Sequence, residues 1–408
     1  MFKKISKPKN LLILSLLVIL VSSFSASMVQ NSFFKVKVTN ISFETANGEL
    51  AGTLYMPRDV DSDNPAPTVI LTHGYLNNKE MQEIGAIELS KRGYVVLAFD
   101  MYDHGDSVWE TPGQFSFFNP SIYDAVQYMY DQDYVLKDAD GNGMIGVSGH
   151  SMGGFSATAA VVYDEYDFNE TGIRKIATML SVGSDLRYIW IGDPLASMGP
   201  RVTGIIAAHY DQFFFDNVTD IEGAPVNEGS VRYKDFVKDP VGLAFLGRTT
   251  EGFAEAGVYY DVDGGSRVIY TPDETHPQNT WSLETGRNTI EFFETAFEMQ
   301  LDQSSLGNLE SFGISVGSTS QSWWAKEAFT LIATIGLVLF MVALFPLLSG
   351  LPIFNKVNMK LEETTGFKVK SKEKNIVKVI VAILATLISA NYIRIFMERT
   401  EEMADLAQ

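Results

Sequence analysis

The sequence predicts an α/β fold with a mainly parallel central sheet. Three observations carry that expectation. Short apolar runs recur between helix-like stretches through the middle of the chain. One run leads straight into a glycine-flanked serine and then a helix-like segment. The charge-free stretches long enough for membrane helices lie outside this region, near the two ends.

The runs are Thr68–Thr72, Tyr94–Phe99, Met144–Val147, Ile176–Val182, Val202–Ala208 and Arg267–Tyr270. Strands separated by helical crossovers pair in parallel, and strands buried on both faces read as continuous apolar runs. Helices are therefore expected on both faces of the sheet. Ahead of them, Phe33 to Pro57 reads as two strands joined by a turn at Asn47-Gly48, with apolar residues alternating at period two. The last helix is expected over Ser282–Met299, with Ile290, Phe293, Ala296 and Phe297 on one face.

The flanks read differently. Lys3, Lys4, Lys7 and Lys9 precede a nearly pure aliphatic stretch, Leu11–Val21, and no charge occurs between Lys9 and Lys35. Residues 1–29 thus have the layout of a signal peptide or a retained signal anchor, and the reading stays open between the two. Ala328–Asn355 is also uncharged. It exceeds the roughly 20 residues needed to span a bilayer. Trp323 and Trp324 stand at its entrance as interfacial anchors, and a span is expected over 325–354. A further span is expected over 376–396, with Lys378 and Arg394 near its ends and an in-plane amphipathic helix as the rival. The loop between them, 355–375, is rich in lysine, which marks a cytoplasmic side. The basic start gives the same side. The region between the first two spans is then extracytoplasmic, in a protein integral to the cell membrane. Asn40, Asn169 and Asn217 each begin an Asn-x-Ser/Thr triplet, a pattern too short to add weight.

Composition narrows the chemistry. The chain has no cysteine, which excludes disulfides, thiolate catalysis and cysteine-based metal centres. Between Gln30 and Trp324 there are 17 basic and 42 acidic residues. Such a surface repels phosphate backbones, so nucleic acid is not an expected partner, and anionic substrates are disfavoured. The bilayer is the partner that the flanks predict.

The chemical signal is Gly149-His150-Ser151-Met152-Gly153-Gly154, after the run Met144–Val147 and before the helix-like Phe155–Val162. A strand, a sharp turn with a serine at its tip and a helix make a nucleophile elbow. The helix N-terminus behind the serine favours negative charge beside it. On this motif the chain resembles the α/β-hydrolase superfamily from Phe33 to Met299, and most of all its esterase, dienelactone-hydrolase-like and acyl-peptidase-like branches. A dienelactone hydrolase carries cysteine as its nucleophile. Serine here favours ester or amide acyl transfer.

The resemblance implies an α/β-hydrolase domain over 30–303, with cap insertions at 185–201 and 214–257 and a Ser/Gly-rich linker at 304–324. It implies that Leu71-Thr72-His73-Gly74-Tyr75 is the oxyanion loop. By analogy, the backbone N–H groups of Tyr75 and Met152 form the oxyanion hole, each donor worth about 3–4 kcal/mol of barrier. The His73 side chain then braces the loop. Asp100–Ser107 resembles a structural loop of the family, with Asp103 in place of its first glycine. His150, adjoining the serine, is expected to point away from the site.

The order serine, acid, histidine in this fold leaves His276 as the base. Asp211 is the expected acid, on a segment similar to the family's strand-then-Gly-x-x-Asp turn. His209 stands near the usual glycine, and that leaves the turn geometry open. Asp216, Asp220 and Asp273 remain rivals, with Asp261 and Asp263 less well placed. No cofactor and no metal are expected. Asp138-Ala-Asp140-Gly141-Asn142-Gly143 opens like a calcium loop, but Gly149 stands where the bidentate glutamate belongs. Phe213, Phe214 and Phe215 form an apolar wall or a cap's packing face. The expected activity is hydrolysis of a small carboxylic ester, with an apolar substrate as one option. Alternatives are a serine peptidase or amidase of the same fold, and a non-catalytic membrane-anchored binding module.

Overall fold

In the computed structural model, residues 7–110, 118–186, 192–215, 231–248 and 254–354 are described, with Ile376, Ile380, Ile383 and Leu384 beyond them. The described strands form one sheet: β1 (Val36–Thr45), β2 (Gly48–Pro57), β3 (Thr68–Thr72), β4 (Val95–Phe99), β5 (Val108–Trp109), β6 (Ile145–His150), β7 (Ile176–Val182), β8 (Val202–Ile206), β9 (Tyr260–Val262) and β10 (Gly265–Tyr270). Their spatial order is β1-β2-β4-β3-β6-β7-β8-β10-β9, with β5 paired to β2. The pairs from β4 through β3, β6, β7 and β8 to β10 are all parallel. The β1–β2 hairpin and β9 add antiparallel edges. This mixed, mostly parallel sheet with helices on its faces is the α/β-hydrolase fold.

The helices in the domain are α2 (Glu83–Ser90), α3 (Phe118–Tyr130), α4 (Met152–Thr171), α5 (Pro194–Ser197), α6 (Pro240–Phe245) and α7 (Leu283–Gln303). Two apolar layers cover the sheet. One contains Ile122, Val126 and Met129 of α3 with Ala157, Ala160 and Val161 of α4. The other contains Ile84 and Ile87 of α2 with Phe292, Phe293 and Phe297 of α7. Each phenyl ring of α7 is fully buried, and burial of such a side chain contributes roughly 1.5–3 kcal/mol. Ser282 caps α7 by accepting from the amides of Glu284 and Thr285.

Parallel pairing aligns the carboxyl ends of β3, β6, β8 and β10 along one edge. The loops after those strands carry Tyr75, Ser151, Asp211 and His276. The lower ends are held differently. Arg201, almost fully buried, donates to Asp164 of α4 at 2.8 Å, to Glu165 at 2.8 Å and to the Ile176 carbonyl at 3.0 Å. It ties α4 to β7 and β8.

Two further helices are long and apolar enough to cross a membrane by length and composition, α1 (Pro8–Gln30) and α8 (Trp323–Ser349). The chain divides into two units, one of residues 13–340 and one of residues 1–12 with 341–408. The span expected at 376–396 and the basic loop at 355–375 lie outside the described residues, apart from four isolated positions of the former. The Ser/Gly-rich segment that composition marks as a linker is packed against the domain. Its backbone is held by Arg92, Glu88, Glu294 and Glu298, side chains that sequence spacing does not connect to it.

Arg201→Met is expected to cost about 3–5 kcal/mol in urea denaturation, because the buried Asp164 carboxylate loses its cation. Arg201→Met combined with Asp164→Leu is expected to recover most of that loss.

Candidate active site

Ser151 sits between β6 and α4 at φ 58° and ψ −120°. A non-glycine residue at that φ is strained, of order 1–3 kcal/mol, and persists only when its surroundings hold it. Here the Ser151 amide donates to the Val182 carbonyl at 2.8 Å. The Ser151 carbonyl accepts from Gly154 N at 2.8 Å, Phe155 N at 3.2 Å and the Ser184 hydroxyl. The flanking glycines have steric reasons. A Cβ on Gly149 would lie 2.4 Å from the Gly153 carbonyl carbon, and one on Gly153 would lie 2.6 Å from the His73 carbonyl oxygen.

The oxyanion-loop candidate abuts this turn. A Cβ on Gly74 would lie 3.0 Å from the Ser151 Cβ, so the peptide leading to Tyr75 passes directly beside the serine. Met152 opens α4. Two histidines brace the loop. His73 donates from Nδ1 to the Gly74 carbonyl at 2.7 Å and accepts at Nε2 from Met101 N at 3.1 Å. His104 accepts from Leu76 N at 3.1 Å, and Leu76 itself has positive φ. Lys79 anchors the next turn to Asp100 at 2.6 Å and Asp106 at 2.9 Å. The Asp100–Ser107 loop is thus a framework for the candidate oxyanion loop.

Asp211 and His276 are joined. His276 Nδ1 donates to Asp211 Oδ2 at 2.7 Å, and both residues are buried. Asp211 Oδ1 accepts from the amides of Phe213 at 2.9 Å and Phe214 at 3.1 Å. The Asp211 carboxylate is therefore fixed by three donors. Because a carboxylate only accepts, Nδ1 carries the proton and Nε2 presents a lone pair. Among the described contacts His276 bonds Asp211 and not Ser151. Such serine–histidine bonds are often long before substrate binds.

The two loops are stitched to each other. His209 N donates to the Pro272 carbonyl at 2.9 Å and Tyr210 N to the Glu274 carbonyl at 3.0 Å. His209 does not adopt positive φ, so the turn to Asp211 needs no glycine there. Its ring pairs with Asp273 at 2.8 Å, which occupies one rival acid elsewhere. Asp216 and Asp220 lie outside the described residues. Asp261 and Asp263 sit on and after the edge strand β9, and Asp263 pairs with Arg267 at 3.0 Å.

Three supports went unread in the sequence. Glu274, buried, accepts from Asn279 at 2.9 Å, Thr285 at 2.8 Å and the Ser282 hydroxyl, folding the loop that carries His276. Lys234, also buried, donates to the Asp211 carbonyl at 2.6 Å and the Phe214 carbonyl at 2.8 Å. His150 does not point away. Its ring lies 4.4 Å from the His276 ring and its Nε2 donates to the His276 carbonyl at 3.0 Å. Its side chain is buried. Phe213 and Phe214 stand 5.0 and 5.3 Å from His276 on other sides, and Phe155 continues the apolar wall 5.2 Å beyond Phe214.

The other motifs resolve into local structure. Asp138 accepts from the amides of Asp140 and Asn142 and from the Asn142 side chain, so its carboxylate closes its own turn. Among the described residues no group of three or more acidic or histidine side chains is disposed to hold a metal. The expected cap at 185–201 contains α5, capped by Asp193. The one at 214–257 contains a 3₁₀ turn at Phe236–Lys238 and α6, and residues 187–191, 216–230 and 249–253 lie outside the described residues.

Burial pushes the His73 imidazole down to about 4 and the His150 imidazole down to about 3. Both are neutral near pH 7. In the unfolded chain both bind protons near pH 6.5. Stability is therefore full above pH 6.5 and falls below it, by about 1.4 kcal/mol per pH unit for each histidine until the folded values are reached. Replacement of His150 by Asn is expected to flatten the acid limb of urea midpoint against pH by about one proton.

Comparison with known proteins gives a family match over part of the chain and distant structural likenesses. The family model Hydrolase_4, Serine aminopeptidase, S33, matches residues 63–208. No curated protein matches the chain. Among solved structures, a bacterial heroin esterase is 13% identical, covering 68% of this chain and 89% of its own, at a TM-score of 0.43. The ferulic acid complex of Est1E from Butyrivibrio proteoclasticus is 17% identical, covering 65% and 99%, at 0.39. The Pyrococcus furiosus esterase Pf2001 is 16% identical, covering 65% and 94%, at 0.42. The chain has the α/β-hydrolase fold, and over residues 63–208 it is similar to the serine aminopeptidase family.

Proposed function

We propose that the protein is a serine hydrolase that cleaves carboxylic esters through an acyl-enzyme. The observation that carries this reading is the 2.7 Å hydrogen bond from His276 to the buried Asp211, made at the same sheet edge as Ser151 on its strained turn.

In this reading Ser151 Oγ attacks the ester carbonyl carbon, and its proton passes to His276 Nε2. The carbonyl π pair moves onto oxygen, where the amides of Tyr75 and Met152 donate to the developing charge. Collapse breaks the carbon–oxygen ester bond, and the departing alkoxide takes the proton from His276. Water then gives a proton to His276 and attacks the acyl-enzyme. The acid is released and Ser151 recovers its proton. Asp211 holds the ring in the tautomer that keeps Nε2 free. His150 contributes by staying neutral, since a cation 4.4 Å away would oppose the imidazolium that forms. The aromatic rings about His276 favour an apolar group on the substrate.

The same machinery cleaves amides, and the description of the matching family favours a peptidase as the second reading. Faster cleavage of aminoacyl p-nitroanilides than of p-nitrophenyl esters would select it. We further propose that α1 and α8 cross the cell membrane and that the catalytic region lies on its outer side, as the lysine distribution supports.

Fluorophosphonate is expected to label Ser151 in the full chain, and Ser151→Ala is expected to abolish both labelling and ester hydrolysis. Asp211→Asn is expected to lower kcat by about 10⁴ with unchanged folding, because the amide donates where the carboxylate accepts. Labelling that persists in Ser151→Ala would remove this assignment.

A further inference from the structure

The path of residues 309–326 shows which edge of the sheet the second apolar helix leaves from. The helix α2 connects the carboxyl end of β3 to the amino end of β4, so Glu83 lies toward the active-site edge and Arg92 toward the opposite one. Likewise α7 begins just after the His276 loop and runs away from that edge. Residues 309–326 climb between these two helices. On the α7 side, Leu309 N donates to Glu298 at 2.9 Å, Gly317 N to Glu294 at 2.7 Å, and the Gln321 side chain to the Leu283 carbonyl at 2.7 Å. On the α2 side, Ser315 N donates to the Arg92 carbonyl at 2.8 Å. Ser322 N and Trp323 N donate to the buried Glu88 at 2.7 and 2.9 Å, and Lys326 pairs with Glu83. Both series advance from the far edge to the active-site edge. The helix α8 thus starts on the flank of the domain, with Lys326 of its first turn at the active-site end of α2.

The first apolar helix keeps the same company. A Cβ on Gly336 would lie 3.0 Å from Val18 and Ile19, so α1 and α8 touch beyond the domain. At the active-site edge the loops expose large apolar side chains: Tyr75 at 50%, Leu76 at 70%, Phe213 at 52%, Trp281 at 62% and Leu283 at 56%. These residues belong to the loops around the site and, for Leu283, to the first turn of α7. They share the edge toward which the membrane helices lead.

We propose that the active-site edge lies against the bilayer and that the substrate is an uncharged or zwitterionic lipid ester, entered acyl chain first from the membrane. The proposal rests on the serine hydrolase reading and on α1 and α8 as spans, and it adds the direction of access. The acidic surface of the domain excludes anionic headgroups, and the aromatic wall beside His276 receives the chain. The reaction is the one already written, with the long acyl group transferred to Ser151 and the lipid alcohol released.

The absence of cysteine permits a direct test in the full chain, reconstituted in phosphatidylcholine vesicles. Spin labels are attached to Leu76→Cys, Leu283→Cys and Asp61→Cys, the last in the loop before β3 at the opposite edge. Collision with oxygen, which concentrates among acyl chains, is compared with collision with a water-soluble nickel chelate. The oxygen-to-nickel ratio is expected to be about tenfold higher at positions 76 and 283 than at 61. Equal ratios at the three positions overturn the orientation. In parallel, p-nitrophenyl palmitate in the vesicles is expected to be cleaved with about tenfold higher kcat/KM than p-nitrophenyl butyrate in buffer, and not by Ser151→Ala. Cleavage of butyrate alone overturns the lipid substrate while leaving the hydrolase. Cleavage of neither ester, without fluorophosphonate labelling, overturns the hydrolase reading itself, and the spin labels then report the orientation independently.

Discussion

Two backbone hydrogen bonds between the loops after β8 and β10, from His209 to Pro272 and from Tyr210 to Glu274, set the distance on which the site depends. The two strands are neighbours in the sheet, so their loops leave the edge side by side. The stitching turns that adjacency into a fixed separation, and Asp211 meets His276 without either loop having to be ordered by substrate. Lys234 and Glu274 act from beneath. One holds the carbonyls of the Asp211 turn, the other gathers three donors from the turn that follows His276. Buried charges of this kind stabilise little by themselves, but they penalise every loop conformation that leaves them unpaired.

The serine is held by a different economy. Its backbone lies in a region that costs energy, and four hydrogen bonds to its amide and carbonyl keep it there. Close approach of Gly153 to the carbonyls of Thr72 and His73 couples that turn to the loop bearing Tyr75. Displacement of the elbow therefore displaces the proposed oxyanion donors with it. The proposed nucleophile and the amides meant to receive the charge move as one body, which is the condition for electrostatic preorganisation.

Much of this was legible in the sequence because it rests on local patterns. The apolar runs mark β3, β4, β6, β7, β8 and β10 to within a few residues, since a strand buried on both faces is mostly apolar along its length. Ser151 is readable because its turn demands small neighbours. The meeting of Asp211 and His276 was expected only from chain order. What escaped were side chains whose partners lie far off in sequence. Lys234 reaches back to Asp211, and Glu274 collects partners whose roles depend on a 3₁₀ turn. His150 was expected to point away from the site, but its ring lies 4.4 Å from that of His276. The Ser/Gly-rich segment before α8 has the composition of a tether, yet its backbone amides satisfy three glutamates spread over α2 and α7.

That segment also bears on how the chain is made. Glu88, fully buried, takes two of its hydrogen bonds from Ser322 and Trp323, and Arg92 gives its guanidinium to the carbonyls of Ser318 and Ser320. Those partners are synthesised more than 200 residues after the helix that needs them. Until they emerge, the groove between α2 and α7 is open and its glutamate lacks two of its donors. Completion of the domain is thereby tied to delivery of the apolar helix that follows at once in the chain. The last packing step of the domain therefore waits for the segment that leads directly into α8, and a chain cut before Ser322 would leave that groove unfilled.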